Sequence, residues 1–339
     1  MPLKISTHLA AFASLAILLT TFQQANAGYQ LIRTIGGPGI GSGPGEFWGP
    51  IGMAVDPSDN VWVAEYANQR IQELSSTGVY INQIGTVGVS GSGNGEFLNP
   101  NGVKVDSSGN VWVADTGNNR IQEFSNAGAY LTQFGTGGSG NGQLNGPSDV
   151  AVDSFGNVWV ADSNNQRIQE FSNTGAYIRQ VGTAGSGNGQ FFFPRGVAVD
   201  SSGNVWVADQ LNNRIQEFSS SGAYIGQFGT QGNGNGELLE PYALAIDLSG
   251  NLFVADSFNH RIQVFSSTGA YIDQFATPGI PYGVAVDSSG NVWVSDLNNQ
   301  SIHEFSIVPE PSPILIWGMG FVSLCLISRR RRRSARRIA

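Results

Sequence analysis

One aspartate recurs along the chain as Asp56, Asp106, Asp153, Asp200, Asp247 and Asp287, at spacings of 50, 47, 47, 47 and 40 residues. Self-similarity at a fixed period leaves few folds open, because each unit must be one supersecondary piece that buries its apolar faces against its neighbours. Residues 195–236 show the unit whole, RGVAVDSSGNVWVADQLNNRIQEFSSSGAYIGQFGTQGNGNG. Four apolar bursts alternate with Ser/Gly/Asn clusters, the pattern of short strands joined by tight turns. The burst Val205-Trp206-Val207-Ala208 is apolar on both alternating faces, so that strand is expected between two covering layers. No repeat keeps a helical period between its breakers. The chain is therefore predicted to be all-β, with six four-stranded antiparallel blades forming one propeller ring.

Such a ring must close without a disulfide, since Cys325 is the only cysteine. Residues 28–36, GYQLIRTIG, match the fourth strand of a unit such as residues 128–135, with no first three strands ahead of them. At the other end, residues 281–306 supply three strands and no fourth. The two fragments are expected to complete one blade. The chain's 46 glycines and 12% charged residues would suit a disordered chain, but the glycines recur at fixed offsets between apolar strands.

The pattern P-x-G-V-A-V-D-x-x-G-N-V-W-V-A-D-x-x-N-x-R-I-Q-x-F resembles the NHL repeat over roughly residues 28–306, and that resemblance implies a six-bladed β-propeller. The last unit departs from it, with Ser301 where the others carry Arg70, Arg120, Arg167, Arg214 and Arg261. This puts the last unit's acid–arginine pair in question.

The two ends read as export signals. Residues 1–27 place Lys4 before an apolar core from Leu9 to Leu19 and then Ala25-Asn26-Ala27, the layout of a secretory signal peptide with Gly28 as the mature start. After Val308 come Pro309-Glu310-Pro311, an apolar run from Ile314 to Ile327, and Arg329 to Arg333 with Arg336 and Arg337. This order is similar to the PEP-CTERM sorting signal. The similarity implies transient inner-membrane insertion of residues 314–327, cleavage near Pro309-Glu310-Pro311 by an exosortase-type enzyme, and delivery to the cell surface or extracellular matrix. A short permanent anchor is the alternative. Residues 28–308 hold 24 Asp/Glu against 9 Lys/Arg, a net −15. Such a body repels phosphate backbones, which argues against a nucleic-acid partner.

Two sets of carboxylates run round the ring. Glu65, Asp115, Asp162, Asp209, Asp256 and Asp296 end the second strand, and five of them precede an Arg by five residues, the arrangement of a charge-assisted clamp across a tight turn. The first-strand set, Asp56 through Asp287, opens a D-x-x-G-N hairpin, with Asp59 for the glycine in the first unit, whose own N–H groups it can accept from. A channel Ca²⁺ is the alternative use of those acids. A three-histidine zinc site cannot be built from His260 and His303, the only histidines of the repeats. The repeats also contain no cysteine and no G-x-S-x-G elbow. The segment GGSGNG at residues 137–142 reads as a flexible blade-to-blade loop.

Strand alternation puts the loop leading into the first strand and the loop between the second and third on one face of the ring. The D-x-x-G-N and S-x-x-G-A-Y turns, nearly uniform from unit to unit, fall on the other. The first face varies. Before the first strand stand Ile51, Asn101, Ser148, Arg195, Tyr242 and Tyr282, and the other loop offers Tyr66, Thr116, Ser163, Gln210, Phe258 and Leu297. Aromatics and an arginine at loop positions of a rigid scaffold are what recognition surfaces use. Tyr66, Arg195, Gln210, Tyr242, Phe258 and Tyr282 are the candidate ligand-binding residues, with no catalytic and no metal residues assigned and no cofactor expected. The chain reads as an exported, non-catalytic binding or scaffold protein whose loop face takes a polysaccharide or a protein. The alternative is a metal-dependent propeller hydrolase or lyase, with Asp149, Glu240 and the first-strand aspartates as its only available ligands.

Overall fold

Blade geometry follows from the turn chemistry of the repeat. The structure, a computed structural model, describes residues 28–308. In the unit read first, Pro194–Val199, Val205–Asp209, Arg214–Phe218 and Tyr224–Phe228 pair antiparallel in that order. The turn after the first strand is made by Asp200, whose Oδ1 accepts the N–H groups of Ser202 and Asn204, both at 2.9 Å. Gly203 sits there at φ +83°, a conformation costly to any residue with a Cβ. The local role expected for the first-strand aspartates is thus seen, and in four blades the tryptophan Nε1 donates to the same carboxylate.

Five blades, residues 50–84, 100–134, 147–181, 194–228 and 241–276, repeat this arrangement. The sixth joins Pro281–Val286, Val292–Asp296 and Ser301–Val308 to the N-terminal strand Gly28–Gly36, which lies outermost. The ring closes by that strand, as its sequence implied. Four one-turn 3₁₀ segments are the only helix among the described residues. The predicted leader (residues 1–27) and the motif Pro309, Glu310, Pro311 lie outside the described residues.

The core sits between blades. Every residue of Val205–Asp209 is buried, and Trp206 packs with Leu238, Leu244, Leu252 and Phe265 of the following blade. Along the channel the inner strands meet backbone to backbone. A Cβ on Gly196 would fall 2.8 Å from Ala243 Cα, and one on Gly52 would strike Asn101 O. Blade 3 carries Asp149 at this glycine position, so a carboxylate enters the channel wall.

The acid–arginine clamps form in the five blades that carry both residues. Arg214 Nε donates to Asp209 Oδ2 at 2.8 Å, Nη1 to Gln227 Oε1 at 2.7 Å, and Nη2 to the carbonyls of Gly187 and Gln190 at 2.8 Å. The last two carbonyls belong to the glycine-rich loop leading into the same blade. Residues 137–142, expected to be flexible, are held in this way too: Arg167 Nη2 donates to Gly140 O, and Gly140 N donates to Gln143 Oε1. A parallel bridge, Gly137↔Leu144, closes the loop. Its glycines leave room for the Gln143 side chain, which a Cβ on Gly138 or Gly140 would crowd, and Gly142 takes φ +77°.

Blade 6 explains its own missing arginine. The segment before Pro281 is short and has no such loop, so a guanidinium would have no carbonyls to bind. Instead His303 Nε2 lies 3.2 Å from Asp296 Oδ2, and His303 Nδ1 is 3.0 Å from Thr34 Oγ1 on the closing strand. Burial works to raise the Asp296 pKa, but hydrogen bonds from His303 and Asn299 hold it below the usual carboxylate value.

Candidate binding site at the channel mouth

The residue just before the inner-strand proline adopts a left-handed conformation in five blades. In three of these it is Gly49, Asn99 or Gly146, residues that take φ near +60° at little cost. In blades 4 and 5 it is Phe193 at φ +64° and Glu240 at φ +50°. A bulky side chain held there stores roughly 1–3 kcal/mol, and strain of this kind gathers where geometry serves a ligand. Hydrogen bonds from the preceding blades pin both residues: Gln166 Oε1 accepts Phe193 N–H, and Asn213 Oδ1 accepts Glu240 N–H at 2.9 Å.

These two backbones build one cluster. The Arg195 guanidinium stacks over Phe193, 4.4 Å from the ring centroid, and over Tyr242 at 5.1 Å. Its Nε donates to Gln210 Oε1 at 3.1 Å, and Gln210 Nε2 donates to Glu240 Oε2 at 3.2 Å. Tyr282 packs edge-on against Tyr242 with centroids 4.7 Å apart. Burial, together with Tyr242 and Glu240, raises the Tyr282 hydroxyl above its ordinary value, against the pull of Arg195.

Tyr242 is placed differently from the loop-surface role its position suggested. It is 9% exposed, and its hydroxyl reaches across the channel to blade 2, 3.0 Å from Asn101 Nδ2. Blades 2 and 5 face each other across the ring, so this bond plugs the channel. The cavity behind it, lined by Met53, Lys104, Asp149 and Leu244 among others, has a volume of about 20 Å³, room for a single water. Asp149 Oδ2 accepts Val197 N–H at 3.0 Å. Burial pushes its carboxyl up to about 6, with the nearby Lys104 charge and the backbone donors acting against that rise.

Of the six predicted residues, then, Arg195, Gln210, Tyr242 and Tyr282 are brought together. Tyr66, 42% exposed, and Phe258, 48% exposed, form no side-chain hydrogen bond or ring pair with the cluster among the described residues. The register read for Phe258 also needs correcting. Ser257 follows Asp256 directly and is the true counterpart of Tyr66, Thr116, Ser163 and Gln210. Its hydroxyl donates to Pro281 O at 2.7 Å, as those of Thr116 and Ser163 do to Pro147 O and Pro194 O. Three of these positions therefore rivet one blade to the next. Phe193, an aromatic of the variable entry loops, and Glu240 join the cluster beyond the six predicted residues; a residue other than Gly or Asn ahead of the inner-strand proline is the sequence signal for them.

Five segments, residues 47–74, 97–124, 144–171, 191–218 and 280–305, match the NHL repeat. The chain carries NHL repeats. Between the fourth and fifth matched NHL segments lies blade 5, with Leu252-Phe253 for Val-Trp and Val264 for Glu, yet it folds as a blade. No curated protein matches the sequence. Among solved structures, the NHL ring is similar to a streptogramin B lyase at 15% identity and a TM-score of 0.57, covering 83% of this chain and 98% of that one. It is also similar to a gluconolactonase from Xanthomonas campestris (14%, TM-score 0.62, 86% and 93%). A protein of unknown function from Bacteroides thetaiotaomicron compares at 17% identity and a TM-score of 0.64, covering 82% and 76%. At these identities the likeness concerns the fold alone. Among the described residues no group of three or more His, Cys, Asp or Glu is placed to hold a metal.

Proposed function

We propose that this NHL propeller is an exported, non-catalytic binding protein of the cell surface or extracellular matrix, and that its loop face takes the ligand at the channel mouth. One observation carries the reading. Of the eight arginines in the described residues, seven are paired with a carboxylate, and Arg195 alone is not. It stands instead over the Phe193 and Tyr242 rings, a donor left for something outside the chain. The signal-peptide-like start and the PEP-CTERM-like end support export, with an exosortase-type enzyme as processing partner and surface polysaccharide or protein as ligand.

The competing reading, a metal-dependent hydrolase or lyase in the channel, would use Asp149, Glu240 and the first-strand aspartates, which accept the N–H groups of their own turns. Asp149 and Glu240 also have hydrogen-bonding partners, Val197 N–H for Asp149 and the Gln210 amide for Glu240. Metal content of the purified protein separates the two. For the binding reading, Arg195→Gln and Tyr282→Ala should together abolish retention on cell-surface material without lowering the urea midpoint by more than a few tenths molar. Undiminished retention refutes the site. A C-terminal tag that stays on the mature protein refutes the sorting step.

A further inference from the structure

Resting on the loop-face reading above, we infer that the mouth takes a carboxylated sugar of an acidic polysaccharide, with Arg195 as its carboxylate receptor and Gln210 as the residue keeping that receptor free of Glu240. Arg195 spends Nε on Gln210, and among the described residues nothing accepts from Nη1 or Nη2. The two remaining N–H directions on the outer edge of a guanidinium match a carboxylate bidentately. Contact with the Phe193 and Tyr242 rings and the Nε bond to Gln210 restrain that fork, so little side-chain entropy is lost when a carboxylate docks.

The choice of a sugar follows from what surrounds the fork. Tyr282 lies beside it, Phe192 is 51% exposed on the same loop, and Trp48, Tyr66 and Phe258 stand 44%, 42% and 48% exposed on blades 1 and 5. These are apolar ring faces set on separate blades. A chain of repeated sugar rings, each with an apolar C–H face, can meet several of them at once and gain by multivalency, whereas one acidic side chain of a protein would meet Arg195 alone. The net −15 of the body opposes an acidic polymer at long range. That field decays over about 8 Å at physiological ionic strength, so it acts on approach and is screened beyond contact range.

Gln210 does the positioning. Its carbonyl oxygen takes Arg195 Nε while its amide nitrogen holds Glu240 at 3.2 Å, so one side chain engages a cation and an anion that would otherwise neutralise each other. Truncating it should let Glu240 swing to Arg195 and occupy the receptor.

The test is calorimetric titration of the purified protein with oligogalacturonate and with its methyl ester. Expected results are measurable binding of the acid form, at least about tenfold weaker binding of the ester, and a similar loss in Arg195→Gln with only part recovered by Arg195→Lys. Gln210→Ala should also weaken binding, and adding Glu240→Gln should restore it, which a merely structural role for Gln210 would not produce. Equal binding of acid and ester, or no binding of the acid, overturns the sugar-acid assignment. If surface material is still retained through Arg195 in that case, the broader loop-face reading stands. Failure of Glu240→Gln to rescue Gln210→Ala overturns the separator role.

Discussion

Asp149→Asn should stabilise the ring, and only above a definite pH. At this position four of the other blades have glycine and one has Ala243, because the inner strands touch there. Asp149 brings a carboxyl into the channel wall, where burial raises its pKa from 3.8 to about 6 despite Lys104 and the backbone donors. Below about pH 4 the carboxyl is protonated both folded and unfolded, and it behaves as an asparagine would. As the pH rises through about 6, the unfolded chain has already lost the proton and the folded chain gives it up against burial. The contribution of this group to stability is therefore present at low pH and lost as pH rises. The difference between 3.8 and about 6 corresponds to about 3 kcal/mol at neutral pH. Asparagine keeps an oxygen to accept Val197 N–H and needs no ionisation. Urea denaturation of both proteins across pH 4 to 8 reads the effect: midpoints that coincide near pH 4 and separate by about 3 kcal/mol above pH 7 are expected. A gain of equal size at every pH, or no gain at pH 7.5, would refute the account.

Two further outcomes follow from the framework. Arg214→Met should cost about 3–5 kcal/mol, because Asp209 stays buried without its partner and two loop carbonyls lose a donor; differential scanning calorimetry would show it, and a loss below 1 kcal/mol would count against the clamp. Tyr242→Phe removes the bond across the channel and leaves the buried Asn101 amide without that partner, an expected loss of about 1–3 kcal/mol in urea denaturation, whereas an unchanged midpoint would mean the plug contributes nothing.

The ring itself was legible because it is written six times. Period, turn residues and the orphan strand at residues 28–36 all point to one closed propeller, and acid and arginine five apart define a clamp before any coordinates exist. What could not be read was contact across the channel. Tyr242 and Asn101 are 141 residues apart, and nothing local distinguishes a tyrosine that plugs a channel from one that faces a ligand. Phe258 lies one residue beyond the register position that Ser257 holds. Counting back from Arg261 would have aligned Ser257 with the other riveting residues. The missing arginine at Ser301 read as a defect, and its cause lay in the shortened loop some twenty residues earlier, in a carbonyl array that sequence does not display.

That dependence of arginine on loop bears on how such a ring can grow. Each lock spans the glycine-rich loop and the third strand of the blade that follows it, so loop and blade form one inheritable cassette. A duplication beginning at the loop, near Gly185 for blade 4, would bring its own lock with it. One beginning at Pro194 would strand Arg214 without Gly187 O and Gln190 O. Blade 6 lacks both halves together, as expected if loop and arginine work only as a unit. Propellers of altered blade number built from this chain should therefore be cut ahead of the loops.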